Sequence, residues 1–143
     1  MFMTQQFPHT EVFIVRDYEL DSQGVVNNAN YLHYLEHARH NFLKSIGVNV
    51  VELHNQGFTL VVMRYEIDYK ASLYGGDEFS VATRAEQISP LKLCFTHQIQ
   101  RLSDQKVILC AKAIGTCIDQ QANRPGLPDL LRRTLSSLEA SLI

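Results

Sequence analysis

The chain has 143 residues, 45% of them hydrophobic and 20% charged, with a formal net charge of -2. That length suits one domain with its own core, and the near-neutral balance lacks the basic surplus that nucleic-acid binding needs. No apolar run approaches the roughly 20 residues of a membrane-spanning helix. The opening MFMTQQFPHT has neither the basic start nor the apolar stretch of a secretory signal. Cys94, Cys110 and Cys117 lie in apolar, strand-like segments without C-x-x-C spacing, so free buried thiols and a cytoplasmic location are expected.

Residues 9–17, HTEVFIVRD, alternate and are β-branched, which predicts a first strand. Residues 28–46, NANYLHYLEHARHNFLKSI, carry Leu32, Leu35, Ala38, Phe42, Leu43 and Ile46 at three- and four-residue steps, and Gly47 supplies a stop. A helix of roughly five turns is predicted there, with a shorter helical piece over 48–55. From Phe58 the period changes to two. FTLVVMRYEIDY, DEFSVATRAEQI, LKLCFTHQIQRL and KVILCAKAIGTCI read as four strands, separated by Gly75-Gly76, Ser89-Pro90 and Ser103-Asp104.

In the first of these, Arg64, Glu66 and Asp68 alternate with Tyr65, Ile67 and Tyr69, predicting one wet and one packed face. The last is apolar on both faces in its middle and is placed inside the sheet. After Pro125 and Pro128, DLLRRTLSSLEASL returns to helical spacing. The expected fold is α+β: a five-stranded antiparallel sheet wrapped around one long helix, with a C-terminal helix. No repeat or linker divides the chain, so a single domain over 1–143 is expected.

Asp21 stands seven residues ahead of Asn28, in the stretch YELDSQGVVNNANY. In one account Asp21 forms a turn and the asparagines cap the helix. In the other, the turn brings an acid to the donor-rich end of a helix, where a reaction's negative charge is held.

Two segments carry a family likeness: VRDYELDSQGVVNNANYLHYLEHAR at 15–39 and IDYKASLYGGDEF at 67–79. Together they resemble the hotdog-fold acyl thioesterases of the 4-hydroxybenzoyl-CoA thioesterase family. The nearest branch holds bacterial long-chain acyl-CoA thioesterases and plant acyl-lipid thioesterases acting on acyl-carrier-protein substrates. The resemblance implies hydrolysis of a fatty acyl thioester on CoA or acyl-carrier protein, without a cofactor. It implies that Asp21 is the nucleophile or general base and that the backbone N–H of Asn28 polarises the carbonyl.

Many members of the wider family carry His where this chain has Asn28, and Asn cannot shuttle a proton, although its amide can orient Asp21 or bind the carbonyl. Glu36, eight residues along the helix, matches a glutamate that another hotdog branch supplies across a dimer interface. It is a second candidate acid, its bland reading being a helix-surface ion pair with Arg39 or His40.

Gly24, Val25, Asn27 and Tyr31 are expected around the substrate, Gly24 because it lets the loop turn tightly. Phe58 and Leu60, with Val62, are candidates for an acyl tunnel, and Lys70, Arg84 and Lys92 for meeting the carrier's negative charge, followed by Arg124, Arg132 and Arg133. A homodimer, assembling further into a tetramer, is expected because a lone sheet leaves its edges exposed.

Other chemistries fit less well. His33, His37, His40 and Lys44 form one stripe, but the H-E-x-x-H offset is wrong and a lysine repels a cation, so a solvated face rather than a metal site is expected. Ser22 lacks a G-x-S-x-G elbow, and Gly75-Gly76 lacks a phosphate-loop context. The competing readings are an aromatic acyl-CoA thioesterase of hydroxybenzoyl or dihydroxynaphthoyl type, a non-catalytic acyl-CoA-binding module, and a dehydratase or hydratase. A binding module has no need of Asp21, and Asn28 stands where a dehydratase is expected to have its His.

Overall fold

Alternating segments rich in β-branched and aromatic residues form an antiparallel sheet in the computed structural model, which describes residues 7–141. The strands are β1 (His9–Ile14), β2 (Phe58–Tyr69), β3 (Glu78–Ser89), β4 (Lys92–Arg101), β5 (Val107–Asp119) and β6 (Arg124–Pro125). All pair antiparallel in the order β1-β3-β4-β5-β2, with β6 on the end of β5. The five expected strands are thus joined by a sixth of two residues. β5 is interior, between β4 and β2, as its apolar middle requires. β1 stops at Ile14, short of the predicted Asp17, because Asp17–Glu19 coil into a 3-10 helix. Val15 still donates to the Asp77 carbonyl at 2.9 Å, so the chain leaves the sheet gradually.

Among the described residues three α-helices complete the fold: α1 (Asn28–Ser45), α2 (Val50–Asn55) and α3 (Asp129–Ser141). The Asn27 side chain caps α1 by accepting the Ala29 N–H at 2.9 Å. Asn49 caps α2 in the same way through Val51 and Glu52. None of the helices is long and apolar enough to cross a membrane, among the described residues.

The long helix lies against the inner face of the sheet, the hotdog arrangement, and carries two apolar clusters along its length. Toward its start Tyr31, Tyr34, Leu35 and Ala38 meet Phe79, Val81, Ile99 and Leu109. Toward its end Phe42 and Leu43 meet Leu93, Phe95 and, from α3, Leu131 and Leu135. Each fully buried Val, Leu, Ile or Phe among them stabilises the fold by about 1.5–3 kcal/mol.

A polar layer separates the two clusters. Arg39 is 2% exposed, and Thr83 and His97 are fully buried. Arg39 therefore corrects the expectation of a surface residue: its guanidinium donates to the Tyr65 hydroxyl at 3.2 Å and lies 5.7 Å from the Phe95 ring centre. The free thiols Cys94, Cys110 and Cys117 are all buried.

Candidate active site

The turn at Asp21 is built by the acid itself. Its Oδ1 accepts the N–H of Gln23 at 2.8 Å and of Val25 at 3.4 Å, and its own N–H reaches the Val25 carbonyl at 2.8 Å. Gly24 takes φ +80°, a left-handed conformation that suits glycine, and donates to the Asp21 carbonyl at 3.0 Å. The second carboxylate oxygen, Oδ2, has no hydrogen-bond partner among the described residues. The side chain is exposed, so one oxygen is anchored while the other is left without a protein partner among the described residues.

Seven residues on, α1 begins. Of its first amides, that of Ala29 is taken by the Asn27 side chain and that of Asn30 by the Asn27 carbonyl at 2.9 Å. The N–H of Asn28 has no protein acceptor among the described residues, as expected for the first residue of a helix.

A cavity of about 460 Å³ joins the two. Asp21, Val25, Asn27, Asn28 and Tyr31 line one side of it, and Tyr69, Ala71 and Ser72, from the end of β2 onward, line the other. Tyr31 is buried, its ring 5.7 Å from that of Tyr69 and its hydroxyl accepting the Leu73 N–H at 3.1 Å. Burial raises its phenol pKa, so the group stays neutral. The far wall is pinned by Arg101, which donates to the Ser72 carbonyl and, at 3.1 Å, to Asp77. Asp77 in turn accepts the Tyr74 N–H at 2.9 Å.

Five of the expected residues thus meet at one cavity. Gly24 shapes its turn without lining it. Lys70 is exposed and directly follows Tyr69, beside the cavity. Glu36 lies outside it, 59% exposed and 3.9 Å from the Arg39 guanidinium, the ion pair weighed against its role as an acid. Phe58 and Leu60 sit at the opposite end of β2, packed on the second apolar cluster. Roughly 30 Å of strand path separates Leu60 from Tyr69, so neither lines the cavity of its own chain. Arg84 pairs with Glu86 at 3.9 Å on β3, and Lys92 is exposed at the start of β4.

His37 faces Glu11 at 3.3 Å, and no three metal-ligating side chains gather among the described residues. Sequence reasoning passed over Tyr69, Ala71 and Ser72 as lining residues, and Arg101 and Asp77 as their support. The segment 67–79 was noted for its likeness alone.

An α-helix wrapped by this sheet defines the hotdog class. The chain belongs to the thioesterase-like superfamily, whose family model matches residues 15–135. It is 40% identical over 118 residues to the acyl-acyl carrier protein thioesterase ATL3, chloroplastic, of Arabidopsis thaliana, covering 82% of this chain and 62% of that protein. The chain thus spans about three fifths of the length of that plant relative. It is 29% identical over 111 residues to the long-chain acyl-CoA thioesterase FadM of Escherichia coli (strain K12), covering 77% of this chain and 83% of that one. Its fold matches the crystal structure of a 1,4-dihydroxy-2-naphthoyl-CoA thioesterase from Synechocystis with a TM-score of 0.84 at 22% identity, over 91% of this chain and 96% of that one.

Proposed function

We propose that the chain hydrolyses acyl thioesters to a free acid and a thiol, with the thioester carbonyl seated between Asp21 and the first turn of α1. The observation that carries this reading is the shared cavity, which has an open carboxylate oxygen at one point and an unpaired helix N–H at another. Asp21 Oδ2 takes a proton from water as the water oxygen adds to the carbonyl carbon. The carbonyl electrons move onto oxygen, where the Asn28 N–H and the positive end of α1 stabilise them. Collapse of the adduct breaks the C–S bond, the thiolate leaves and takes up the proton, and Asp21 is again ionised. In the nucleophilic form the same oxygen attacks the carbon, the thiolate departs, and water cleaves the mixed anhydride. Both forms need the acid in this place.

The acyl group is proposed to be fatty, carried on acyl-carrier protein or CoA, a reading supported by the names of the plant and Escherichia coli relatives. Lys70, beside the cavity, is the base proposed to meet the carrier's negative charge. β2 forms a free edge of the sheet, which supports pairing with a second copy into a homodimer and onward assembly. On the chain's own cavity Glu36 has no reach, so its role as a second acid is proposed only across such an interface. Likewise Phe58, Leu60, Arg84 and Lys92 are proposed to act only toward a neighbouring copy.

The testing experiment is thiol release from acyl-CoAs and acyl-carrier-protein thioesters of graded length, with benzoyl-CoA included. Release by the wild-type chain is expected. Intact thioesters on both carriers would leave the acyl-binding module as the better reading.

A further inference from the structure

Glu19 is 7% exposed, at the end of the 3-10 turn that leads from β1 to Asp21. Its carboxylate Oε1 accepts two hydrogen bonds, from the Arg16 N–H at 2.8 Å and from the Tyr34 hydroxyl at 2.8 Å. Its main-chain carbonyl accepts two more, from the Asn27 N–H at 3.1 Å and the Asn30 side-chain amide at 2.9 Å. Asn27, Asn30 and Tyr34 follow one another at steps of three and four, so they form one stripe over the cap and first two turns of α1. One residue thereby grips the helix at three heights. The same residue stands two positions before Asp21, and Leu20 bridges to Val26 across the Asp21 turn.

A buried carboxylate is retained against its desolvation cost only where it is well hydrogen-bonded. Replacing it with an apolar side chain would leave the Arg16 N–H and the Tyr34 hydroxyl without this acceptor. Structural need alone would be met by holding the loop anywhere on the sheet. The contacts instead tie the acid's turn to the helix end that supplies the open N–H.

We propose that Glu19 is a positioning residue, fixing the distance between the Asp21 carboxylate and the Asn28 N–H. This rests on the thioesterase reading above. Glu19 touches no reacting atom and acts only through the two groups that do.

The experiment uses Glu19→Gln and Tyr34→Phe, alone and on an Asp21→Asn background, with kcat, KM and thermal unfolding measured together. Glu19→Gln keeps the size of the side chain and one acceptor oxygen. It removes the charge that strengthens the bonds from the Arg16 N–H and the Tyr34 hydroxyl, and it turns an amide N–H toward the Arg16 guanidinium, 3.8 Å from Oε2 in the wild type. Misplacement on the order of 1 Å can cost about a hundredfold in rate. Glu19→Gln should therefore lower kcat by about ten- to a hundredfold with KM little changed, and Tyr34→Phe by less. On the Asp21→Asn background Glu19→Gln should cost nothing further, because residues acting as one unit are not additive.

A second readout needs no turnover. In amide NMR spectra of the folded Glu19→Gln protein, the resonances of Asn27 to Asn30 and of Gln23 should shift, while those of β4 and β5 should not. Unmoved resonances, an unchanged kcat, or an equal further loss on the Asp21→Asn background would each overturn the proposal. Failure of the thioesterase reading looks different: Asp21→Asn would then match the wild type, while the NMR shifts would still decide the positioning.

Discussion

The Arg39 guanidinium and the His97 imidazole share the core of the molecule, one 2% exposed and the other fully buried. Burial first, and then the field of Arg39, push the His97 pKa from an ordinary 6.5 to about 3. Its Nδ1 meets the Thr83 hydroxyl at 3.1 Å, while its Nε2 and the Arg39 Nε have no partner among the described residues.

Stability should therefore fall in acid. His97 is neutral in the folded state down to about 3 but takes up a proton near 6.5 once unfolded. The contribution is fully present above 6.5 and is lost as pH drops toward 3, each unit being worth about 1.4 kcal/mol. Urea midpoints measured between these limits should decline for the wild type and decline less steeply for His97→Gln. Parallel pH profiles would contradict the assignment.

Arg39→Met should cost little stability or add some. Among the described residues the buried charge has only an exposed carboxylate, Glu36 at 3.9 Å, to compensate it, and replacing such groups with apolar ones is often neutral or stabilising. The same substitution removes a cause of the depressed His97 pKa, so an NMR titration of His97 should show a higher value. A loss above about 3 kcal/mol, typical of breaking a buried pair, would mean that the Tyr65 hydrogen bond dominates.

At the helix start, the backbone N–H of Asn28 is the proposed oxyanion donor and its side chain is not. Proline is accepted at the first helical position because its missing N–H is unpaired there anyway. Asn27 already holds the extended conformation that precedes a proline, with φ -64° and ψ 139°. Asn28→Pro should hence fold normally yet lose about 10²–10³-fold in kcat, the usual weight of one oxyanion donor. Asn28→Ala should stay close to wild type. The opposite ranking would assign the work to the side-chain amide.

The cap is a separate matter. Asn27→Ala removes the acceptor for the Ala29 N–H and should destabilise the protein by about 1 kcal/mol in urea unfolding.

Much of this was legible in the residues. The period-two segments gave β2 at Phe58–Tyr69 and the other three long strands to within about a residue, and the helical stripe gave α1 from Asn28. Both follow from which side chains must leave water, which spacing records. The acid and the helix start were legible because turn and capping chemistry is local.

The buried polar groups were harder to read. Arg39 follows Leu35 by four residues and precedes Phe42 by three, so it lies on the buried stripe. His97 alternates with Leu93, Phe95 and Ile99, which places it on the inner face. The pattern carries that signal, but the surface reading of Arg39 gives its charge more weight than its spacing. Glu19 left no periodic trace, because its partners at Asn27, Asn30 and Tyr34 meet it only through the fold. Phe58 and Leu60 are apolar as expected of tunnel residues, and strand length puts them at the end of β2 away from the Asp21 cavity of their own chain.

The most direct test is the rate of thiol release by wild type and by Asp21→Asn, on the best substrate found among acyl-CoA and acyl-carrier-protein thioesters. The account predicts release by the wild type and a kcat lower by about 10²–10⁴-fold in the variant, the range for a lost general base, with unfolding unchanged within about 1 kcal/mol. Equal rates in the two proteins would contradict it.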